Sequence, residues 1–155
     1  ILVGTFLTSC VSVKLPSSGP ERSKDYRFSE PKGPFESIPL TQVDRAWRNK
    51  KTGNAISILS DCKGVQEIAL QAVTDSVLLP LESKEILNQN KFSFNARVAL
   101  RTEAKGQIDG VSSMVDLIVF RKDSCLYILT YTGVSERYNT ERDVFNTFIT
   151  EFKVP

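Results

Sequence analysis

Three cysteines are the most reactive side chains of this 155-residue sequence, and Cys10 has the most informative surroundings. It ends a short apolar run and directly follows Leu7-Thr8-Ser9. Short apolar runs that close on small residues are typical of signal segments and fall short of a membrane span. An aliphatic residue, two small residues and a cysteine have the form of a lipobox. We therefore predict that residues 1–9 are a signal peptide remnant and that Cys10 carries acyl chains such as palmitate.

Acylated Cys10 would anchor the chain, because several acyl chains together give stable membrane binding. Val11 follows it and is not a retention signal of the aspartate type. The expected location is thus the outer membrane, facing the periplasm. Two alternatives stay open: a secretory signal cut elsewhere, and a buried strand that contains a cysteine.

Cys62 and Cys125 are the remaining thiols, and an even pair in an oxidising compartment favours a disulfide. A bond across so long a loop would stabilise the fold by roughly 4 kcal/mol through the entropy of loop closure. The alternative is a pair of buried free cysteines that act as small apolar side chains.

Catalytic and metal-binding patterns are missing from the sequence. It contains no histidine, which removes Ser-His-Asp and Cys-His catalysis and every histidine-ligated metal site. Glycine-rich phosphate loops and calcium loops are also absent. The net charge of +2 is spread over mixed signs and gives no field that would attract nucleic acid. We predict a non-enzymatic protein without cofactor, metal or nucleic-acid partner.

Trp47 lies between Arg45 and Arg48, and these three residues are a candidate contact with a protein partner. Tryptophan and arginine are frequent anchors of protein interfaces. A tryptophan packed in the core beside a hairpin is the commoner arrangement, and it is the interpretation that we favour.

A second group of polar residues lies on the predicted strands. Asp109, Arg97, Arg101 and Asp116 could line a small polar site. Charged pairs across neighbouring strands more often serve only to satisfy a sheet surface, which is our expectation here.

Residues 10–38 are rich in proline, glycine and charge, and they predict a lipidated, flexible tether. It would hold a single domain, residues 39–155, away from the bilayer. Residues 26–28 and Phe35 leave an alternative open, in which this segment docks on the domain as a short edge strand.

The apolar periodicity of the domain predicts two helices, at residues 64–79 and 141–152. Thr140 would cap the second helix, with Asp143 three residues further on. The expected buried positions are Val65, Ile68, Ala69, Ala72, Val73 and Val77 in the first helix, and Val144, Phe145, Phe148, Ile149 and Phe152 in the second.

Alternating apolar residues predict strands at 43–48 and 55–60, joined by a turn that contains Gly53. A hairpin turn at Lys105-Gly106 would set Leu100 opposite Val111, and Phe92 opposite Val119 at the far end of the same long strand.

A second turn at Lys122-Asp123 would add a third strand, residues 125–132, with Leu126 opposite Val119 and Ile128 opposite Leu117. The predicted fold is α+β: an antiparallel sheet of five or six strands with helices packed on both faces.

Several short segments resemble small bacterial envelope lipoproteins of unassigned function. They are 46–49, 52–53, 56–58 with Cys62, 106–110 and 125–127. The order of strands and helices is similar to the Mog1/PsbP-like α-β-α sandwich over about residues 40–152. The resemblance implies that fold and an accessory or assembly role without catalysis.

Two functions fit these observations. The first is an outer-membrane-anchored lipoprotein that acts as a protein-binding or assembly accessory module in the envelope. The alternative is a periplasm-facing lipoprotein that binds a small ligand or lipid, which predicts a cavity under the sheet.

Overall fold

The computed structural model describes residues 19–63 and 68–155, so Cys10 and the predicted signal remnant lie outside the described residues. The described elements form one antiparallel sheet with the strand order β1-β2-β3-β7-β6-β5-β4. In chain order they are β1 Phe35–Ser37, β2 Arg45–Asn49, β3 Ala55–Asp61, α1 Leu70–Val77, β4 Glu82–Phe94, β5 Arg97–Ile108, β6 Val111–Lys122, β7 Cys125–Val134, a 3-10 turn Tyr138–Thr140 and α2 Arg142–Glu151. None of the described helices is long and apolar enough to cross a membrane.

The sheet has seven strands, so the prediction of five or six is wrong. One strand was missed because the chain reverses at Asn95-Ala96, which divides the predicted long strand into β4 and β5. Both residues have positive φ, at 50° and 58°, as a two-residue hairpin turn of the mirror-image type requires. Alanine seldom adopts this conformation, so the sequence pattern predicts one continuous strand here. The other missed strand, β1, lies inside the predicted tether.

The turn between β5 and β6 lies at Asp109-Gly110 and not at Lys105-Gly106. Leu100 therefore pairs with Val119 instead of Val111, a displacement of eight residues. Because side chains alternate with a period of two, an even displacement leaves every side chain on its predicted face.

The next turn shows the same kind of error. It lies at Asp123-Ser124, one residue beyond the predicted position. Val119 therefore pairs with Ile128 and not with Leu126, a displacement of two residues. The predicted faces are again preserved.

The two helices pack on opposite faces of the sheet, as predicted. On the α2 face, buried aromatic and aliphatic side chains dominate: Trp47, Ile56, Ile58, Ile118, Phe120, Tyr127, Leu129, Tyr131, Phe145, Phe148 and Phe152. On the α1 face the core is smaller and aliphatic: Val73, Leu78, Leu81, Ala104, Val115, Leu117, Val119, Leu126 and Ile128. Each central strand thus contributes alternate side chains to two separate cores.

Helix α1 is shorter than predicted, and residues 64–67 lie outside the described residues. Val73 is buried and Val77 packs against the same core, but Ile68 and Ala72 are exposed. Leu78, the residue that follows α1, is also buried, although it is not among the predicted buried positions.

Helix α2 begins one residue later than predicted, and its buried stripe is confirmed. The predicted cap is wrong, because Glu141 and not Thr140 is the N-cap residue and it makes no side-chain capping bond. The Glu141 carboxylate instead accepts hydrogen bonds from the side chains of Asn49, Thr52 and Asn54. This buried contact joins the start of α2 to the turn between β2 and β3.

The N-terminal segment from Glu21 to Phe28 docks on the domain, so the tether prediction is wrong for this part and the docking alternative describes it. Glu21 O accepts a hydrogen bond from Cys62 N, and Arg22 pairs with Asp44 at 3.3 Å. The backbones of Arg27 and Lys153 bond to each other in both directions.

Aromatic packing completes this docking. The ring of Phe28 meets the Trp47 and Phe148 rings edge to face, and Tyr26 stacks on Phe152. Burial and the neighbouring Asp44 carboxylate raise the pKa of the Tyr26 hydroxyl, which stays protonated and donates to Asp44. The segment therefore forms part of the α2-face core.

Cys62 and Cys125 form a disulfide. Asp61 pairs with Leu126 across β3 and β7, so the next position along this register brings the two cysteines face to face. The disulfide thus links the end of β3 to the start of β7, beside the docked N-terminal segment.

The hydrogen bond between Asn54 and the buried Glu141 leaves no room for a side chain at Gly133. A Cβ at Gly133 would lie 1.9 Å from Oδ1 of Asn54, whose Nδ2 is held by Glu141 and by the carbonyl of Arg137. We predict that Gly133→Ala lowers the free energy of unfolding by about 1–3 kcal/mol, as overpacking does. Urea denaturation measures it, with Gly19→Ala as the control because nothing lies within 4 Å of that position. Equal stability of the two variants would contradict the prediction.

Candidate functional site

Strand β4 is the most accessible element of the sheet. It is an edge strand of 13 residues, and all but its last few are exposed. An edge strand presents unpaired backbone N–H and C=O groups along one side. Among the described residues, no hydrogen bond joins that outer side of β4 to another element. The opposite edge, β1, has only three residues.

The first half of β4 is protected against unspecific pairing. Its register with β5 is interrupted between Glu82 and Glu85 and again between Ile86 and Asn88. Bulges and charged side chains are the usual devices that prevent edge-to-edge aggregation. From Asn88 to Phe94 the register is regular, so this half has the geometry that an added strand needs.

A polar cleft of about 360 Å³ lies beside this regular half, between the sheet edge and α2. We call it the β4–α2 cleft. Its walls are Asn88, Asn90 and Phe92 from β4, Arg101 and Glu103 from β5, and Arg142 and Asn146 from α2. It exists because α2 covers the centre of the sheet and leaves the last two strands extending past it.

Arg101 is held at the floor of the cleft by a buried carboxylate. Its Nε donates to Asp116 Oδ1 at 2.9 Å and its Nη2 to Oδ2 at 2.5 Å, while Nη2 also donates to Asn146 Oδ1. The side chain of Asp116 has no solvent exposure. Hydrogen bonding to Asp116 raises the pKa of the Arg101 guanidinium, so this group is always charged.

Arg142 lies above this pair. Its Nη2 donates to Glu103 Oε2 at 2.5 Å and lies 4.0 Å from Asp116 Oδ2, and its guanidinium lies 5.7 Å from the centre of the Tyr138 ring. The two guanidinium groups therefore converge on one carboxylate oxygen of Asp116. The arginine side chains are about one-third exposed, whereas Glu103 is only 14 % exposed.

The chemistry that these residues can perform is binding through hydrogen bonds. Among the described residues, no group of three or more His, Cys, Asp or Glu side chains is placed to hold a metal ion. Five of the seven residues that line the β4–α2 cleft carry guanidinium or amide groups, and the carboxylate of Asp116 is buried. They are suited to recognise hydrogen-bond acceptors.

The structure places Trp47 in the core, which is the interpretation that the sequence favours over a partner contact. This side chain is 1 % exposed and lies in the α2-face core, so its ring cannot contact a partner. Arg45 and Arg48 are exposed on β2, but they flank no accessible aromatic group. Burial in β2 does not alternate strictly, since Ala46 and Trp47 are both buried between the exposed Arg45 and Arg48.

Of the four charged residues that were candidates for a small polar site on the strands, the structure brings only two together. Arg101 and Asp116 form the bidentate pair of the cleft, whereas Asp109 lies in the β5–β6 turn and Arg97 at the start of β5. Sequence reasoning missed Arg142 and Asn146. Their spacing of four residues on one helix face is the signal that could have found them.

A second, more apolar groove of about 560 Å³ lies on the α1 face. Leu59, Val73, Leu126 and Ile128 line it, and Gly19 lies at its rim. It is open to solvent along one side of the described residues and is therefore not the enclosed cavity that the ligand-binding alternative predicts.

One antiparallel sheet with a helix on each face is an architecture that this chain shares with solved structures, a PsbP protein among them. No family model matches the chain, and no curated protein does. Among solved structures, cyanobacterial PsbP (CyanoP) from Synechocystis sp. PCC 6803 is 16 % identical with a TM-score of 0.57, covering 96 % of this chain and 99 % of its own.

Two further structures share the fold. LpqN of Mycobacterium tuberculosis, described as involved in cell envelope biogenesis, is 15 % identical with a TM-score of 0.52, over 92 % of this chain and 88 % of its own. PA94 of Pseudomonas aeruginosa, a protein of unknown function described as a putative regulator, is 12 % identical with a TM-score of 0.51, over 85 % and 83 %. At these identities the likeness shows the fold alone.

The two arginines of the cleft contribute very differently to stability. Arg101→Met would leave the buried Asp116 carboxylate without its bidentate partner, and we predict a loss of about 3 kcal/mol. Arg142→Gln breaks the pair with Glu103 and the contact with the Tyr138 ring but leaves Asp116 paired with Arg101, and we predict a smaller loss of about 1 kcal/mol. Urea denaturation of both variants tests this order. Equal losses would show that Arg101 does not hold Asp116 in the folded protein.

Proposed function

We propose that this chain is a non-enzymatic accessory protein of the bacterial envelope, anchored to the outer membrane through acylated Cys10 and facing the periplasm. Its role is to bind a protein partner. The observation that carries this proposal is β4, a long edge strand whose outer backbone is open and whose regular half borders a polar cleft.

An extended segment of a partner can join such an edge as an additional strand. Backbone hydrogen bonds supply the affinity in this binding mode, and side chains at alternate positions supply the specificity. Exposed Ile86 and Leu87 beside the regular half offer apolar contacts to the partner. The bulges of the first half limit pairing to about the length from Asn88 to Phe94.

The comparisons support an accessory role in the envelope. The PsbP-like resemblance implies a role without catalysis, and LpqN, which shares the fold, is described as involved in cell envelope biogenesis. The absence of histidine from the chain agrees with a role in binding.

A second candidate function is the binding of a small ligand or lipid. The observation that favours it is the apolar groove on the α1 face, lined by Leu59, Val73, Leu126 and Ile128. An apolar groove of several hundred Å³ is within the size range of small-molecule sites.

The anchor is tested by metabolic labelling with an alkyne fatty acid in cells that express the chain behind a complete signal peptide. We predict that the wild type takes up the label and sediments with membranes, whereas Cys10→Ser does neither, because its hydroxyl replaces the thiol that the acyl group needs. Ser12→Ala is the matched control and keeps both properties. Label on the Cys10→Ser variant would contradict the anchor at this residue.

The partner is tested by placing a photo-crosslinking amino acid at Ile86 and, as a control, at Leu79, which is more exposed but lies outside the sheet edge. We predict one dominant protein adduct from position 86 and none from position 79, with loss of the adduct in Leu87→Lys because a buried lysine opposes docking. Mass spectrometry identifies the captured protein.

Amide hydrogen exchange gives a second test, because an added strand would protect the outer backbone N–H groups of β4. The purified partner should slow amide hydrogen exchange in residues 88–94 more than elsewhere in the sheet. The proposal fails if positions 86 and 79 yield the same adducts, or if exchange along β4 stays unchanged.

A further inference from the structure

We propose that the β4–α2 cleft is a carboxylate-binding site, in which Arg101 and Arg142 hold the ligand. This site is separate from the backbone edge of β4, and the inference stands whether or not a strand is added there. The ligand is a carboxylate on a carbon body, either free or borne by an acidic side chain of a protein.

Arg101 supplies a fixed and oriented donor. Asp116 and Asn146 occupy its Nε and Nη2 atoms, which leaves the N–H groups of Nη1 for a ligand. A bidentate contact to a buried carboxylate holds the guanidinium plane in one orientation, so little rotamer entropy is lost when a ligand binds.

Arg142 supplies the second donor, which makes fewer hydrogen bonds within the protein than Arg101 does. Glu103 engages its Nη2, and none of the described residues accepts a hydrogen bond from its Nε or Nη1. A ligand carboxylate can therefore bind to Arg142 while the pair with Glu103 persists.

The charge balance of the cleft does not oppose an added carboxylate. Arg101 and Arg142 are offset by Asp116 and Glu103, so the four groups carry no net charge. Asp116 is buried beneath the guanidinium groups and is already paired with Arg101, so a ligand carboxylate on their outer side meets the guanidinium groups first.

The shape of the cleft also requires a carbon body. Phe92 forms an apolar part of the wall on the β4 side, opposite Arg142 and Asn146 on α2. A ligand that spans the cleft places its carboxylate against the arginines and its carbon atoms against the Phe92 ring. Asn88 and Asn90, in the same wall, can bond a further polar group of the ligand.

The experiment titrates the isotope-labelled full chain with succinate and, separately, with succinamide, which has the same carbon body but no charge. Arginine Nε resonances report binding directly. We expect succinate to shift the Nε signals of Arg101 and Arg142 in a saturable way, and succinamide to leave them unchanged at the same ionic strength.

Arg142→Gln is the variant to test, because Arg101 also supports the buried Asp116 and its removal would confuse binding with folding. We expect Arg142→Gln to weaken succinate binding about tenfold or more, and Arg142→Lys to weaken it less, since charge remains but the planar donor is lost. Arg45→Gln, at an exposed arginine on β2, is the matched control and binds as the wild type does.

Two blocked pentapeptides, one with a central glutamate and one with glutamine in its place, distinguish the source of the carboxylate. Tighter binding of the glutamate peptide than of succinate assigns the site to a protein side chain, and the reverse order assigns it to a free acid. The proposal is overturned if succinate gives no saturable shift, if succinamide matches it, or if Arg142→Gln binds as the wild type does. None of these results depends on the crosslinking at Ile86.

Discussion

The constraint on which this structure depends is that its central strands are apolar on both faces. β6 and β7 send alternate side chains into two cores, so neither face of the sheet can remain in water. Helix α2 and the docked N-terminal segment cover the aromatic face, and α1 covers the aliphatic face. Because α2 lies over the centre of the sheet, the last two strands extend past it on the aromatic face. The open edge and the polar cleft therefore follow from how the core is covered.

Much of the fold could be predicted from local pattern, because face assignment depends only on whether a position is odd or even. The wrong turn at Lys105-Gly106 displaced the pairing by eight residues and still left Leu100 on its correct face. The pairing of Cys62 with Cys125 needed only the arithmetic of three cysteines, and the register of β3 with β7 explains its geometry. Turn positions were harder, since Asn95-Ala96 adopts positive φ without a glycine to mark it.

The candidate site could not be predicted in the same way, because its residues meet only after distant elements pack. Arg101 and Asp116 were noticed as polar residues on strands, but Arg142 and Asn146 lie 26 to 45 residues further along the chain. Composition misled at one place. Proline and glycine in residues 10–38 indicate a loose spacer, yet Tyr26 and Phe28 hold the described part of that segment against the aromatic core.

The docked N-terminal segment sets a limit on the proposed anchor. If acyl chains hold Cys10 at a bilayer, the hydrogen bond of Glu21 to Cys62 leaves eleven residue steps between the lipid and the domain surface. That length of chain spans at most about 40 Å, whereas a chain that stayed undocked to residue 38 would span about 100 Å. A protein bound by the anchored domain would then have to present its contact within that shorter distance, as a neighbour in the same membrane does.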